Sequence, residues 1–438
     1  MPTLALALAY LEALLRHRLS HDTGSKESVP MPEPPSISEA DSMANFLMEH
    51  EASIDELVVL TLGLVPHVHP FLIDSIVNEY LPEGSNFPAL GGSKGKTHRG
   101  FLPTGETAVY LLSGQDWRRR FEIIELFEGG HYFAEKAILK LEDVKSGEPD
   151  LSGRILLDTA HVDLFSTGRS RIPVMSGSFP AQYLSTELDW EDLVLDKHTL
   201  SQIEELQSWL NHNDTLLHDW GMSRFIKSGY RALFHGPPGT GKTLTATLLG
   251  KYTGLHVFRI DLSMVVSKFI GETEKNLSSL FDKARNKNWI LFFDEADALF
   301  SKRTGVRDAH DKYANQEVSY LLQRIENYPG LTILATNFRS NLDDAFTRRF
   351  NSIIHFPMPG PKERLRIWKN YLPPKLSLTE DVDLNAVAEK FNLTGSNIAN
   401  IVHMLGLEAL SEERQAADHS HLFRVIKREM AKEGKPMI

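Results

Sequence analysis

The sequence predicts an α/β protein: a parallel-sheet core, a helical lid after it and a mixed α+β domain before it. Two short apolar segments, at 290–293 and 331–335, each lead into polar residues. A third, at 232–234, leads into a glycine-rich loop that is followed by residues with the apolar spacing of a helix. Apolar strands that alternate with helices are typical of parallel sheets.

The lid is predicted from four segments after residue 360. Apolar residues recur there at intervals of three and four, which indicates helices that each bury one face. The segments are 362–372, 385–391, 397–410 and 421–432.

Residues 236–243 read Gly-Pro-Pro-Gly-Thr-Gly-Lys-Thr, which fits the phosphate-binding pattern G-x-x-x-x-G-K-[ST]. The glycines let backbone N–H groups point at phosphate oxygens, and the next helix adds the positive end of its dipole. We expect Lys242 to contact the β- and γ-phosphates and the Thr243 hydroxyl to bind Mg²⁺. The predicted contacts of the nucleotide in this loop are Gly236, Pro237, Pro238, Gly239, Thr240, Gly241, Lys242, Thr243 and Leu244.

A second motif begins 47 residues after this loop, where residues 290–297 read Ile-Leu-Phe-Phe-Asp-Glu-Ala-Asp. We expect Asp294 to bind the Mg²⁺ ion and Glu295 to polarise the attacking water. A solvated strand end is the more ordinary interpretation of such an acidic pair. The phosphate-binding loop upstream favours the catalytic interpretation.

Further catalytic candidates follow the apolar segment 331–335. Asn337 is expected beside the γ-phosphate, and Thr336 is a weaker candidate. Arg348 and Arg349 come next, and arginine near a transferring phosphoryl group offsets the developing charge. Adjacent arginines usually form surface ion pairs, but the position of this pair after Asn337 favours a catalytic role.

This ordered set of motifs resembles the AAA clade of the AAA+ ATPases over about residues 185–438. The resemblance implies hydrolysis of ATP with Mg²⁺. It also implies a homo-oligomeric ring, usually a hexamer, in which Arg348 and Arg349 reach the site of the neighbouring subunit.

The same resemblance implies a motor element. Lys268, Phe269, Ile270 and Gly271 match a first pore loop that would grip a protein client. The alternative is that Phe269 and Ile270 pack in the core. The polar segment 304–313 is the candidate for a second pore-facing loop.

The lid is expected to contribute backbone contacts from Gly395 and Ser396 on the adenine side of the nucleotide. Many AAA+ proteins carry a sensor arginine near this position, and residues 394–398 contain none. The AAA clade usually lacks it as well, so this difference leaves the resemblance intact.

A closer resemblance is to the AAA ATPases of bacterial extracellular contractile injection systems, which are phage-tail-like particles. The similar strings span nearly the whole chain: residues 4–12, 101–107, 190–195, 268–277, 293–300 and 309–315. The resemblance implies a role in the assembly, loading or disassembly of such a particle.

Composition excludes some classes of protein. Hydrophobic residues make up 42% and charged residues 24% of the chain, which is ordinary for a soluble globular protein. The absence of cysteine excludes disulfides and thiolate metal sites and agrees with a cytoplasmic location. Residues 3–15 are apolar, but no basic residue precedes them and Glu12 interrupts them, so we interpret them as an amphipathic helix. No membrane partner is expected.

The net charge of −11 is unevenly distributed. Residues 1–200 hold 16 of the 47 Lys and Arg residues but 30 of the 58 Asp and Glu residues. Nucleic acids bind to basic surfaces, so this acidic part argues against a nucleic-acid partner.

We predict four parts of the chain: an N-terminal helix with a flexible linker at 1–42, a mixed domain at 43–184, a large α/β subdomain at 185–360, and the lid at 361–438. The mixed domain should begin with helical residues 43–81, broken at Pro66 and Pro70. Alternating apolar residues at 137–144 and 154–157 predict strands, with a winged-helix type of domain as one interpretation.

Three functions are compatible with these patterns. The preferred one is an ATP-hydrolysing ring motor that remodels or threads protein, with a contractile particle as client. The alternative is an ATP-switched assembly chaperone or scaffold that does not thread its client. A DNA-handling ATPase is the third, and the acidic N-terminal half counts against it.

Overall fold

The computed structural model describes residues 2–24, 29–37, 41–81, 87–169, 171–176, 179–262, 272–285, 287–296, 319–337, 347–413 and 416–432. The chain divides into two compact units, Met1–Ile172 and Pro173–Ile438. This division differs from the predicted boundary at 184, because residues 181–184 form a strand in the sheet of the second unit.

The first unit is mainly helical. Its helices are α1 (Pro2–Asp22), α2 (Ser42–Glu49), α3 (Ile54–Val68), α4 (Leu72–Tyr80), α5 (Gly105–Ser113), α6 (Trp117–Glu125), α7 (Tyr132–Glu135) and α8 (Thr159–Thr167). Two antiparallel pairs complete it: β1 (Ser93–Lys94) with β2 (Phe101–Leu102), and β3 (Leu139–Leu141) with β4 (Ile155–Leu157). The strands predicted near 137–144 and 154–157 are thus confirmed, in shorter form.

Helix α1 belongs to the core of this unit. Leu11, Leu14 and Leu15 are buried in one apolar cluster with residues of α3 and α4. The Thr3 N–H also donates to Asp41 Oδ2 (3.0 Å), which joins the start of α1 to the residue before α2. We predicted residues 1–42 as a part separate from the mixed domain. In the structure, α1 instead packs in the core of the first unit.

The helical residues after 41 form three helices, and the predicted break at Pro66 is wrong. A capping box between Ser53 and Glu56 starts α3, and Pro66 lies inside its last turn. The predicted break at Pro70 is confirmed: Pro70 lies between α3 and α4, which are bent by 102° relative to each other. As a bent pair they pass a length and composition test for a membrane span, and no single helix in the described ranges does.

The second unit is built on a six-stranded sheet. Its strands are β5 (Ala181–Leu184), β6 (Tyr230–His235), β7 (Val257–Ile260), β8 (Ile290–Phe293), β9 (Leu331–Thr336) and β10 (Ser352–His355). They lie in the order β10-β6-β9-β8-β7-β5, and all neighbours are parallel except β5, which runs antiparallel to β7. Every residue of β8 and β9 is buried, as expected for strands covered on both faces. The predicted parallel-sheet core is confirmed.

Helices α9 (Lys197–Asp214), α10 (Lys242–Thr253) and α11 (Glu272–Arg285) belong to the same sheet-containing part of this unit. The lid follows with α12 (Pro361–Tyr371), α13 (Leu384–Lys390), α14 (Gly395–Ser411) and α15 (His419–Lys432), and with a short parallel pair of β11 (Ser377–Leu378) and β12 (Ala416–Ala417). The lid helices enclose their own apolar core around Trp368, Ile401 and Ile426. The predicted helical lid is confirmed.

Candidate nucleotide-binding site

The predicted motifs meet at the carboxyl edge of the sheet. Strands β6, β9 and β8 are adjacent and parallel, so the loop after β6, Asn337 after β9, and Asp294 with Glu295 after β8 emerge side by side. They line one cavity of about 480 Å³. The residues predicted from the sequence that line it are Pro238, Gly239, Thr240, Gly241, Lys242, Thr243, Leu244, Asp294, Glu295, Asn337, Gly395 and Ser396.

The glycines of the loop are required by the backbone and by close contacts. Gly236, Gly239 and Gly241 have φ of +149°, +75° and +99°. A Cβ at position 236 would lie 2.0 Å from the carbonyl oxygen of Phe356, which belongs to the backbone and cannot rotate away. The loop therefore passes closer to the chain after β10 than any residue with a side chain allows.

We expect Gly236→Ala to destabilise the protein by about 2 kcal/mol or more, since left-handed strain and a backbone clash add together. Gly254→Ala is the matched control. Gly254 ends α10 at φ +72°, and a methyl group added there would meet no atom within 4 Å, so this position carries the strain without the clash. Urea unfolding of both variants measures the difference, and equal midpoints would contradict the inferred clash.

Lys242 is held in place by acceptors on both sides of the loop. It is buried, and its Nζ donates to the carbonyl oxygens of Gly236 (2.6 Å) and Pro237 (2.9 Å) and to Asn337 Oδ1 (3.1 Å). Gly236 and Pro237 thus contribute through Lys242 and do not line the cavity themselves. The contact with Asn337 brings the predicted cation together with the predicted polar residue that follows β9.

Thr243 and Asp294 fit a magnesium ion. Both line the cavity, and both offer the hard oxygen atoms that Mg²⁺ prefers. Among the residues that the structure describes there is no cluster of three or more metal-ligating side chains. Mg²⁺ is commonly bound by one or two protein oxygens together with phosphate oxygens, so a hydroxyl and a carboxylate are enough.

Glu295 has an unusual backbone. Its φ is +49°, in the left-handed region that non-glycine residues rarely adopt. The Asp294 Oδ1 accepts from the Glu295 N–H (3.0 Å), and the Ala296 N–H donates to the Ala335 carbonyl (2.9 Å). These bonds hold the turn after β8 against β9 and leave the Glu295 side chain exposed at the cavity. Strained residues of this kind are concentrated at functional sites.

The lid closes one side of the cavity. The Ser396 N–H donates to the Gly239 carbonyl (3.4 Å), so the lid touches the phosphate-binding loop directly. Gly395 and Ser396 lie at the amino end of α14, where the lid was expected to contribute.

Several lining residues were missed by the sequence analysis: residues 192–196 and 356–360 with Glu363, Ile367, Tyr371 and Ala399. The first group belongs to the connection between β5 and α9. It ends at Asp196, which caps α9 by accepting hydrogen bonds from two N–H groups. Burial and the Asp192 carboxylate raise the pKa of the Tyr371 phenol, which therefore remains a hydrogen-bond donor. Asp196 before α9 and the Gly-Pro pair at the start of α12 are residue types typical of helix starts, so the sequence could have predicted where these two helices begin.

Arg348 and Arg349 do not line this cavity. Arg349 forms an ion pair with Glu326. With Lys227, Arg231 and Glu326 it surrounds a separate opening. Arg231 lies near the start of β6, whereas the phosphate-binding loop follows the end of β6. Arg349 and this loop therefore lie at opposite ends of the parallel strands, which are the amino and carboxyl edges of the sheet. Arg348 is exposed.

The predicted pore loops lie outside the described residues. This applies to Lys268, Phe269, Ile270 and Gly271 and to the segment 304–313. Their proposed role stays a prediction.

Comparison with known proteins agrees with the geometry. Residues 232–358 match the family described as "ATPase family associated with various cellular activities (AAA)". A cell division cycle protein 48 homolog of Archaeoglobus fulgidus is 32% identical over 51% of this chain and 31% of its own length. A proteasome-activating nucleotidase of Methanopyrus kandleri is 32% identical over 46% of this chain and 48% of its own length.

The chain spans about half or less of the length of these curated relatives. The matched residues nevertheless contain the phosphate-binding loop, the acidic pair after β8 and Asn337. The part of the chain that is similar to the AAA ATPase family is thus the part that holds the predicted site.

Proposed function

We propose that this chain binds Mg-ATP in the cavity described above, hydrolyses it, and uses the free energy to remodel or thread a protein client. The observation that carries the proposal is the meeting of Lys242, Asp294, Glu295 and Asn337 at one cavity. These groups offer a cation for phosphate, a carboxylate for a metal, a base for water and an amide to orient it.

Each residue has a part that its position supports. The N–H groups of the loop and the Lys242 ammonium would bind the phosphates. Thr243 and Asp294 would hold Mg²⁺, which neutralises charge on the phosphate oxygens when bound. The exposed Glu295 carboxylate would orient and deprotonate a water molecule, and Asn337 would help to place it.

A ring is supported by where the arginines lie. Phosphoryl transfer is accelerated by an arginine at the developing charge, and the arginine pair of this chain is at the other edge of the sheet from its own phosphate-binding loop. In a head-to-tail ring that edge can face the cavity of the next copy. We therefore propose a homo-oligomeric ring, with six copies as the resemblance implies.

We expect Arg348→Ala or Arg349→Ala to lower the ATPase rate about 1,000-fold or more while ATP binding is retained. Arg428→Ala, an exposed change on α15, serves as the control and should leave the rate unchanged. Mixing the arginine variant with Lys242→Ala subunits should restore part of the activity, because each supplies what the other lacks. No recovery at any mixing ratio would argue against sharing between subunits.

The client is proposed to be a component of a contractile injection particle in the cytoplasm. Support for this comes from the segments of the chain that resemble ATPases of contractile injection systems, among them residues 268–277 and 309–315. Some of the relatives are named proteasome-activating nucleotidases, a name that refers to activation of a proteasome. That comparison favours work on protein.

Capture of the client tests this proposal. Glu295→Gln should bind ATP, hydrolyse it slowly and stay on its client, which mass spectrometry of a pull-down identifies. The double variant Glu295→Gln with Lys242→Ala is the matched control, since it cannot be held by ATP. Sheath, tube, cap or cargo proteins recovered only with the single variant would support the particle role. A mixture of unrelated proteins would overturn that role and leave the ATPase assignment in place.

The alternative of an ATP-switched scaffold shares the same site and the same ring. It differs in requiring no grip on an extended client.

A further inference from the structure

The amino end of α14 leaves no gap between the lid and the phosphate-binding loop. A Cβ at position 239 would lie 1.9 Å from Ser396 Oγ and 2.8 Å from Thr394 Oγ1. The Ser396 N–H also donates to the Gly239 carbonyl. The position of the first turn of α14 therefore sets the shape of the cavity wall on this side.

That first turn is fixed by a capping box. Thr394 Oγ1 accepts from the Asn397 N–H (3.3 Å), and Asn397 Oδ1 accepts from the Thr394 N–H (3.0 Å) and from the Thr394 hydroxyl (2.7 Å). Because its oxygen is used here, the amide of Asn397 has one orientation. Its Nδ2 must point away from the cap, towards α15.

Glu429 of α15 receives that amide. This residue is 5% exposed. Oε1 accepts from Asn397 Nδ2 (3.3 Å) and Asn400 Nδ2 (2.9 Å), and Oε2 accepts from Lys432 Nζ (2.5 Å). Burial opposes its ionisation, but hydrogen bonds from Lys432, Asn400 and Asn397 outweigh this and lower the pKa of Glu429.

We propose that Glu429 is a positioning residue for nucleotide binding, acting through Asn397 and the Thr394 cap on the wall formed by Gly395 and Ser396. Glu429 does not line the cavity. The inference rests on the proposed function only in taking the cavity to bind ATP. Removing the carboxylate takes away the acceptor that two amides share, so Asn397 can turn and release the cap.

The test compares Glu429→Leu with Glu429→Gln. We expect Glu429→Leu to raise the Kd and the KM for ATP about tenfold with little change in kcat, because a buried donor loses its acceptor. Gln keeps an oxygen that can accept from both asparagines, so Glu429→Gln should recover most of the affinity. A loss of kcat without a change in KM would overturn the positioning role.

Glu408→Ala is the matched control. Glu408 of α14 pairs with Arg424 of α15 (2.7 Å), so it joins the same two helices at a more exposed place. Its loss should leave ATP affinity unchanged. Equal weakening by Glu408→Ala and Glu429→Leu would mean that any loosening of the helix pair affects the site, which overturns a specific role of Glu429.

A second pair of variants decides the matter if Glu429→Leu does not fold. Asn397→Asp keeps an oxygen for the cap but sets two carboxylates within hydrogen-bond distance, so ATP affinity should fall. Adding Glu429→Gln restores a donor and an acceptor and should restore affinity. A double variant no better than Asn397→Asp alone overturns the inference.

Failure of the inference and failure of the proposed function give different results. If the unmodified protein does not bind ATP, the proposed function fails. If it binds ATP and a folded Glu429→Leu binds equally well, only the inference fails.

Discussion

Lys242→Ala is expected to abolish measurable ATP binding, a loss of about 100-fold or more in affinity, because charged hydrogen bonds to phosphate are the strongest contacts available in the loop. Lys242 is the only cationic side chain in residues 236–244. Its Nζ is already directed by three oxygen atoms, on Gly236, Pro237 and Asn337. An alanine would supply no charge and would remove the donor that those oxygens share.

Isothermal titration calorimetry with ATP and Mg²⁺ measures this effect. Thermal unfolding should be recorded beside it, since the loss of a buried ammonium also affects the fold. Lys427→Ala, an exposed change on α15, is the control and should bind ATP normally. Normal binding by Lys242→Ala would show that the nucleotide lies elsewhere.

Glu295→Gln should reduce the rate of hydrolysis by about 100- to 10,000-fold, the usual contribution of a general base, while ATP binding is kept. The amide has nearly the shape of the carboxylate but cannot accept the proton of water. Because the backbone of the turn after β8 is fixed by its bonds to Asp294 and β9, the substitution should leave the geometry of the site unchanged.

Single-turnover hydrolysis separates this chemical step from binding and release. Glu389→Gln, on the exposed surface of α13, makes the same chemical change away from the cavity and should have no effect. A fast Glu295→Gln enzyme would assign the base to another group and would leave Glu295 as a structural residue of the turn.

The core of the site could be predicted because its signals are local. A glycine-rich loop and an acidic pair after an apolar strand each indicate a chemical role within a few consecutive residues. Parallel strands then bring their carboxyl ends together without further information. The lid helices could also be predicted, because apolar residues recur in each of them at the spacing of a helix.

The rest of the site depends on contacts between distant residues. Residues 192–196 line the cavity because Asp196 starts α9 beside β10, where the Thr199 hydroxyl donates to the His355 carbonyl (2.7 Å). No short sequence pattern predicts that contact between residues 199 and 355. Glu429 could not be identified either, because its partner Asn397 is 32 residues away and one buried acid on an amphipathic helix looks ordinary.

The domain boundary failed for a similar reason. Residues 181–184 are too short a segment to stand out as a strand in the sequence, and they become one by pairing with β7. Pro66 was misread because a proline removes one hydrogen bond of a helix and disfavours helical backbone in the residue before it, yet α3 continues through Pro66 to Val68.

The antiparallel strand β5 has a practical meaning for dissecting this chain. It covers the backbone N–H and C=O groups along the outer side of β7. A fragment that begins at residue 185 would expose this row of unpaired groups, which is a template for pairing between molecules and for aggregation. A fragment that begins at Pro173 keeps β5, so the backbone of β7 stays paired and β5, a strand of four residues, forms the edge of the sheet. Residues 181–184 therefore belong in any fragment that is meant to keep β7 paired.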